Sequence, residues 1–126
     1  LLIMNRRKTG FSYSKLDHIE RNISLISELY IFDHAKIRQF YYYNLDSVTT
    51  IKYLKEIARV AYQLFGQKTV LKIEPSKLSI FVLTIIIEVD ENNYSAKFER
   101  MFRKYVFSLN KHLKSFYFFV IERRKT

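Results

Sequence analysis

His18, His34 and His112 are the three histidines of the chain and the first places to look for metal or acid–base chemistry. They are scattered, with no second histidine or carboxylate at ligand spacing on a shared face, so each is expected to be structural or at the surface. Cysteine is absent, which removes disulfides, thiolate metal sites and thiol nucleophiles together. Glu88, Asp90 and Glu91 cluster at a strand end, where carboxylates can hold a divalent ion or act as acid and base. No further residue completes such a site, and the expected reading is a polar turn. Gly10 and Gly66 are the only glycines and stand alone, so there is no Gly-rich phosphate loop. No catalytic constellation emerges, and neither an enzyme nor a bound cofactor or metal is expected.

The cations are the other chemical resource. Lys and Arg number 22 against 12 Asp and Glu, a net +10, which points to a polyanionic partner. They fall into clusters: Arg6, Arg7 and Lys8 in an N-terminal arm, Lys52, Lys55 and Arg59 in the middle, and Arg123, Arg124 and Lys125 as a tail. The largest set, Lys97, Arg100, Arg103, Lys104, Lys111 and Lys114, has only Glu99 in its company. An ordinary solvated face would look similar, but six cations with one acid suit RNA phosphates. A lipid partner needs more: no segment approaches the ~20 uninterrupted apolar residues of a spanning helix. The opening Leu1-Leu2-Ile3-Met4 lacks the basic and apolar regions of a secretory signal. Neither a membrane role nor secretion is expected.

These side chains must be positioned by local elements. Leu16, Ile19, Ile23, Ile26 and Tyr30 recur at helical spacing after Ser14 or Asp17 as possible caps, predicting a first helix. Asp33 to Tyr43, ending in Phe40-Tyr41-Tyr42-Tyr43, shows no clean period and reads as a connector. Asp46 or Ser47 can cap a helix over 48–65 whose stripe is Ile51, Leu54, Ala58, Ala61 and Phe65, with Gly66 as its stop. Thr69 to Glu74 is a short β-rich run, Pro75-Ser76 a turn, and Leu78 to Val89 a long second strand. Leu78, Ile80, Val82 and Ile86 would lie on one face of that strand and Phe81, Leu83, Ile85 and Ile87 on the other, so cover is expected on both. Ser95 can cap a helix over 96–113 with Phe98, Met101, Phe102, Tyr105, Leu109 and Leu113 on one arc and the six cations opposite. A final strand over 115–122 follows. One α+β core of three strands backed by two helices is therefore predicted, with 1–43 as a basic N-terminal arm and helix and 44–126 as the domain.

From Asn44 onward, Ile51 to Glu56, Ile73 to Pro75, Leu78 to Ile85, Phe98 to Lys104 and Phe118 to Lys125 follow one another in an order that resembles the N-terminal half of small-subunit ribosomal protein three. Ile51-Lys52-Tyr53-Leu54-Lys55-Glu56 is similar to that family's basic-hydrophobic helix with Tyr-Leu. Ile73-Glu74-Pro75 stands where the family's first strand ends in Ile-Glu-Arg-Pro, without the Arg, and Leu78 to Ile85 corresponds to its second strand. Phe98-Glu99-Arg100-Met101-Phe102-Arg103-Lys104 resembles the following helix, and Phe118 to Lys125 the close of the domain. The match covers about two thirds of the chain. The resemblance implies a type II KH fold, a structural place in the small ribosomal subunit, and ribosomal RNA and neighbouring ribosomal proteins as partners. Two departures stand out. KH domains clamp nucleic-acid backbone with a Gly-x-x-Gly loop; after its second strand this chain has Asp90-Glu91-Asn92-Asn93-Tyr94-Ser95, where acidity and lack of glycine oppose close approach to phosphate. RNA is then expected to meet the basic helix, arm and tail. The family's C-terminal domain, which lines the channel where messenger RNA enters, has no counterpart here, implying a shortened or split form whose other half is a separate protein.

Eleven Phe and ten Tyr beside two Gly, one Pro and no Trp match the AT-rich codon usage of an organelle or bacterium. Together with the initial Leu, the shortened form implied by the resemblance leads to the expectation of a mitochondrially encoded chain. Two other classes share features. Ferredoxin-like assembly domains of pilus or secretion systems share the helix-strand-strand-helix-strand order but need no such charge. Accessory subunits of mitochondrial respiratory complexes share the composition but not the motif order. Recovery with ribosomal RNA or with membranes separates these readings.

Overall fold

Residues 51 to 65 carry apolar positions three and four apart, and Ile51, Leu54, Ala58, Ala61 and Phe65 are all buried as that spacing demands. The computed structural model describes residues 13–125, so Arg6, Arg7 and Lys8 lie outside the described residues. Its elements are α1 (Tyr13–Ile26), α2 (His34–Tyr43), a 3₁₀ segment (Leu45–Thr50), α3 (Tyr53–Phe65), β1 (Val70–Pro75) and β2 (Leu83–Asp90). A 3₁₀ turn (Glu91–Asn93), α4 (Ala96–Leu109), α5 (Leu113–Phe116) and β3 (Tyr117–Arg124) complete the order.

Several boundaries differ from the sequence-based expectations, each for a local reason. Ser14 and Asp17 lie inside α1. Asp33 to Tyr43 is not a connector: the Asp33 carboxylate accepts the Lys36 amide at 3.1 Å and α2 follows. Its buried face, Ile37, Phe40 and Tyr41, has helical spacing that the run of aromatics disguises. The helix expected over 48–65 is split. Neither Asp46 nor Ser47 caps α3, whose N-cap Lys52 makes no side-chain cap bond. Ser47 and Thr50 instead donate their hydroxyls to the carbonyls of Asn44 and Ser47, tightening that stretch into 3₁₀.

Gly66 ends α3 as expected, donating its amide to the Tyr62 carbonyl at 2.9 Å with φ 91° and ψ 172°. That backbone region is essentially confined to glycine. Gly66→Ala is therefore expected to cost about 1–3 kcal/mol, measured by chemical denaturation. An unchanged midpoint would show that the turn relaxes freely.

The sheet has the order β1-β2-β3, with β1 antiparallel and β3 parallel to β2. Leu71, Ile73, Leu83, Ile85, Ile87, Val89, Tyr117 and Phe119 are buried on the inner face. Residues from α1 through α5 join them in one continuous core. The expected strand over 78–89 begins only at Leu83, because the hairpin register pairs Pro75 with Leu83 and leaves 76–82 as a loop. Leu78, Ile80 and Phe81 are 97%, 74% and 64% exposed there. Ser76 and Ser79 accept the amides of Leu78 and Phe81, which holds the loop despite its apolar side chains. Cover by the helices reaches only the 83–89 half of the apolar run, and the register follows that cover. The outer face is not uniformly apolar either, since Glu88 is flanked by Lys72 at 2.6 Å and Arg124 at 3.3 Å. The Lys72 hydrogen bond, chiefly, holds the Glu88 carboxyl below its usual range.

One polar cluster sits within the core. The Tyr41 and Tyr117 hydroxyls are 2.6 Å apart, Thr50 lies 2.7 Å from Tyr117, and Tyr30 donates to the Leu54 carbonyl at 2.7 Å. These bonds tie α2 and the 3₁₀ segment to β3, and the turn after α1 to α3, and satisfy phenols that burial would otherwise penalise.

Candidate nucleic-acid interface

Ser95 opens α4 as the sequence predicts, its hydroxyl accepting the Phe98 amide at 3.0 Å, with Glu99 in the first turn where the helix dipole favours an acid. Phe102 and Val106 are buried. Opposite them, Lys97, Arg100 and Lys104 are exposed, and spacings of three and four residues put them within ~60° of arc. Among the described residues they make no ion pair. The other three expected members of that arc are placed differently. Arg103 turns toward Glu99 at 3.2 Å and donates to the Phe119 carbonyl at 3.1 Å, so it braces α4 on β3. Tyr94, donating at 2.7 Å, contributes most to holding the Glu99 carboxyl low. The helix expected to reach 113 stops at Leu109, where the Asn110 side chain accepts the His112 amide. Lys111 and Lys114 are exposed on the turn and on α5 and no longer share the α4 arc.

The second cluster, Lys52, Lys55 and Arg59, is exposed on α3. Packing of α3 on α4 brings one cation of each set, Arg59 and Lys104, to one groove of about 590 Å³, lined on one side by Arg59 and Gln63 and on the other by Lys104 and Ser108. Its floor is apolar, with Val60, Leu64, Met101 and Tyr105. Arg59 is held in place: its Nε lies 2.9 Å from Glu56, its Nη2 also bonds Glu56, and its Nη1 reaches Gln63 at 3.0 Å. The Tyr105 hydroxyl donates to the same Glu56 oxygen at 3.2 Å, linking α4 to this set. The Arg59 hydrogen bond is the main reason the Glu56 carboxyl is held low, which keeps it ionised and engaged with the guanidinium. A second concavity on the other flank of α3 is lined by Lys52, Lys55 and again Arg59. Arg59 therefore stands between two basic grooves.

In the tail, Arg123 lies over the Tyr94 ring at 4.8 Å, Arg124 pairs with Glu88 and donates to the Lys68 carbonyl at 2.7 Å, and Lys125 is exposed. The acidic loop is not a uniformly exposed turn. Asp90 is 2% exposed, accepts the Asn92 amide at 3.0 Å and pairs with Lys68 at 3.7 Å, whereas Glu91 is exposed. Among the described residues no group of three His, Asp or Glu is placed to hold a metal, and no helix is long and apolar enough to cross a membrane.

No protein-family model, curated protein or solved structure matches the chain. The architecture is α+β with a mixed three-stranded sheet, compatible with a KH-like fold.

Met101 and Tyr105 are the residues that the periodic reading misplaced. Counted into the apolar stripe, they are 45% and 40% exposed and line the groove. At ~100° per residue both fall between the buried arc and the lysines, a boundary position that helical projection could have marked. Gln63 carried no sequence signal of its own, because its place depends on Arg59 beside it.

Proposed function

We propose that the chain is a non-catalytic RNA-binding constituent of the mitochondrial small ribosomal subunit, with a type II KH fold like that of the N-terminal half of small-subunit ribosomal protein three. The observation that carries this reading is the exposed row Lys97, Arg100 and Lys104 on α4, unpaired among the described residues, whose Lys104 meets Arg59 of α3, distant in sequence, across one groove. Lys97, Arg100 and Lys104 have no acidic partner within the described chain, so bringing phosphates to them costs no internal ion pair. The order of motifs supports the family, and the mixed sheet is compatible with it. The Phe- and Tyr-rich, Gly-poor composition supports the mitochondrial setting. Ribosomal RNA is the main partner, with neighbouring small-subunit proteins as protein partners. Lys55, Arg59, Lys97, Arg100 and Lys104 form the centre of the RNA surface, with Lys52, Lys111, Lys114 and Lys125 around it. Arg103, Arg123 and Arg124 contribute mainly by holding the surface in shape.

The test is a salt titration of binding to small-subunit ribosomal RNA. Each phosphate neutralised in a duplex contributes a slope of about −0.9 in log K against log salt. Arg100→Glu with Lys104→Glu should lower affinity by roughly 10- to 100-fold and flatten that slope by about 2, leaving the circular dichroism spectrum intact. Glu91→Lys should leave binding unchanged or slightly tighter. A double variant that binds with wild-type affinity and slope removes α4 from the interface.

A further inference from the structure

We infer that the groove between α3 and α4 is a subsite for one unpaired RNA base, with Tyr105 as its stacking platform and Lys104 holding a flanking phosphate. This rests on the RNA-binding reading and names the part of the RNA the site takes. Phosphates of a regular duplex need only the outward cations Lys97, Arg100 and Lys104. They do not fill a concavity of about 590 Å³ whose floor is Val60, Leu64, Met101 and Tyr105. Such a floor rejects a phosphate and favours a flat apolar group, and an unstacked base is the flat apolar part of RNA.

Four features of the groove suit that ligand. The Tyr105 ring is 40% exposed although its helix has a full core face, so folding does not require the aromatic there. Its hydroxyl is tied to Glu56 at 3.2 Å, which fixes the ring before any ligand arrives and reduces the ordering cost of binding. Glu56 is the carboxylate beside the groove, and its charge is engaged by Arg59, so it does not repel a phosphate as a free acid would. The Gln63 side chain accepts from Arg59 through its oxygen, which leaves its amide NH₂ able to donate to a base edge.

The probes are a labelled oligouridylate and a blunt RNA duplex, each titrated against the full chain. Base stacking on an aromatic predicts that Tyr105→Ala weakens oligouridylate binding roughly 5- to 150-fold and leaves duplex binding unchanged. Tyr105→Phe keeps the ring and should bind the oligouridylate within about twofold of wild type, as a stacking role requires. Equal losses for single strand and duplex, equal losses for Ala and Phe, or no loss with Ala would each overturn the subsite while leaving the basic surface intact. If the wild-type protein binds neither RNA, the RNA-binding reading itself fails.

Discussion

Phe102→Ala is expected to destabilise the protein by about 3–5 kcal/mol. The ring is fully buried, 6.0 Å from Phe65 on α3 and 5.9 Å from Phe119 on β3, so it joins the two basic helices and the sheet at one point. Removing it leaves a cavity that three elements must close together, and relaxation of one cannot fill the space. With ordinary domains stable by ~5–15 kcal/mol, such a loss shows directly as a lower denaturant midpoint. Phe118→Ala provides the contrast: the same side chain, but 62% exposed on the outer sheet face, and expected within about 0.5 kcal/mol of wild type. A loss at Phe118 as large as that at Phe102 would mean that Phe118 is on the buried face of β3.

The second large effect is alkaline. Burial pushes the Tyr117 phenol up to about 12 from the usual 10.0, and it raises Tyr30 and Tyr41 well above their ordinary range as well. The unfolded chain releases these protons near pH 10, while the folded chain retains them. Stability from the neutral phenols is thus complete below pH 10 and is lost as pH rises toward 12. For Tyr117 alone the loss across that window is about 3 kcal/mol. The measurement is denaturant unfolding at intervals from pH 8 to 12, followed together with near-ultraviolet phenolate absorbance. A buried fraction of the ten tyrosines should titrate only as the protein unfolds. Titration of all ten near pH 10 with the fold intact would contradict the buried network. Tyr117→Phe should flatten the alkaline limb while costing about 1–3 kcal/mol at neutral pH, because Tyr41 and Thr50 lose their partner.

How far each feature could be read from sequence follows from how local its cause is. The Ser95 cap, the Gly66 stop and the stripe from Ile51 to Phe65 were legible because a hydroxyl, a missing Cβ and a 3.6-residue period act within a turn or two. The start of β2 was not, since Leu78 to Val82 has the same β-branched and apolar character as Leu83 to Val89. Only the reach of the covering helices separates exposed from buried there. The six cations after Ser95 likewise read as one arc. Three keep that role, Arg103 is drawn to a β3 carbonyl, and Lys111 and Lys114 lie beyond a break that Asn110 makes by capping a new turn.

By itself the sequence determined a basic, cysteine-free α+β chain whose helices carry cations opposite their apolar stripes, because charge and periodicity are properties of each segment alone. The tertiary structure decided which cations meet. Arg59 and Lys104 face one another only because α3 and α4 pack side by side, with Phe65 on Phe102 beneath them. It also decided that Met101 and Tyr105, apolar by type, line an open groove, because the core is already closed by Phe102 and Val106 on the adjoining face of the helix.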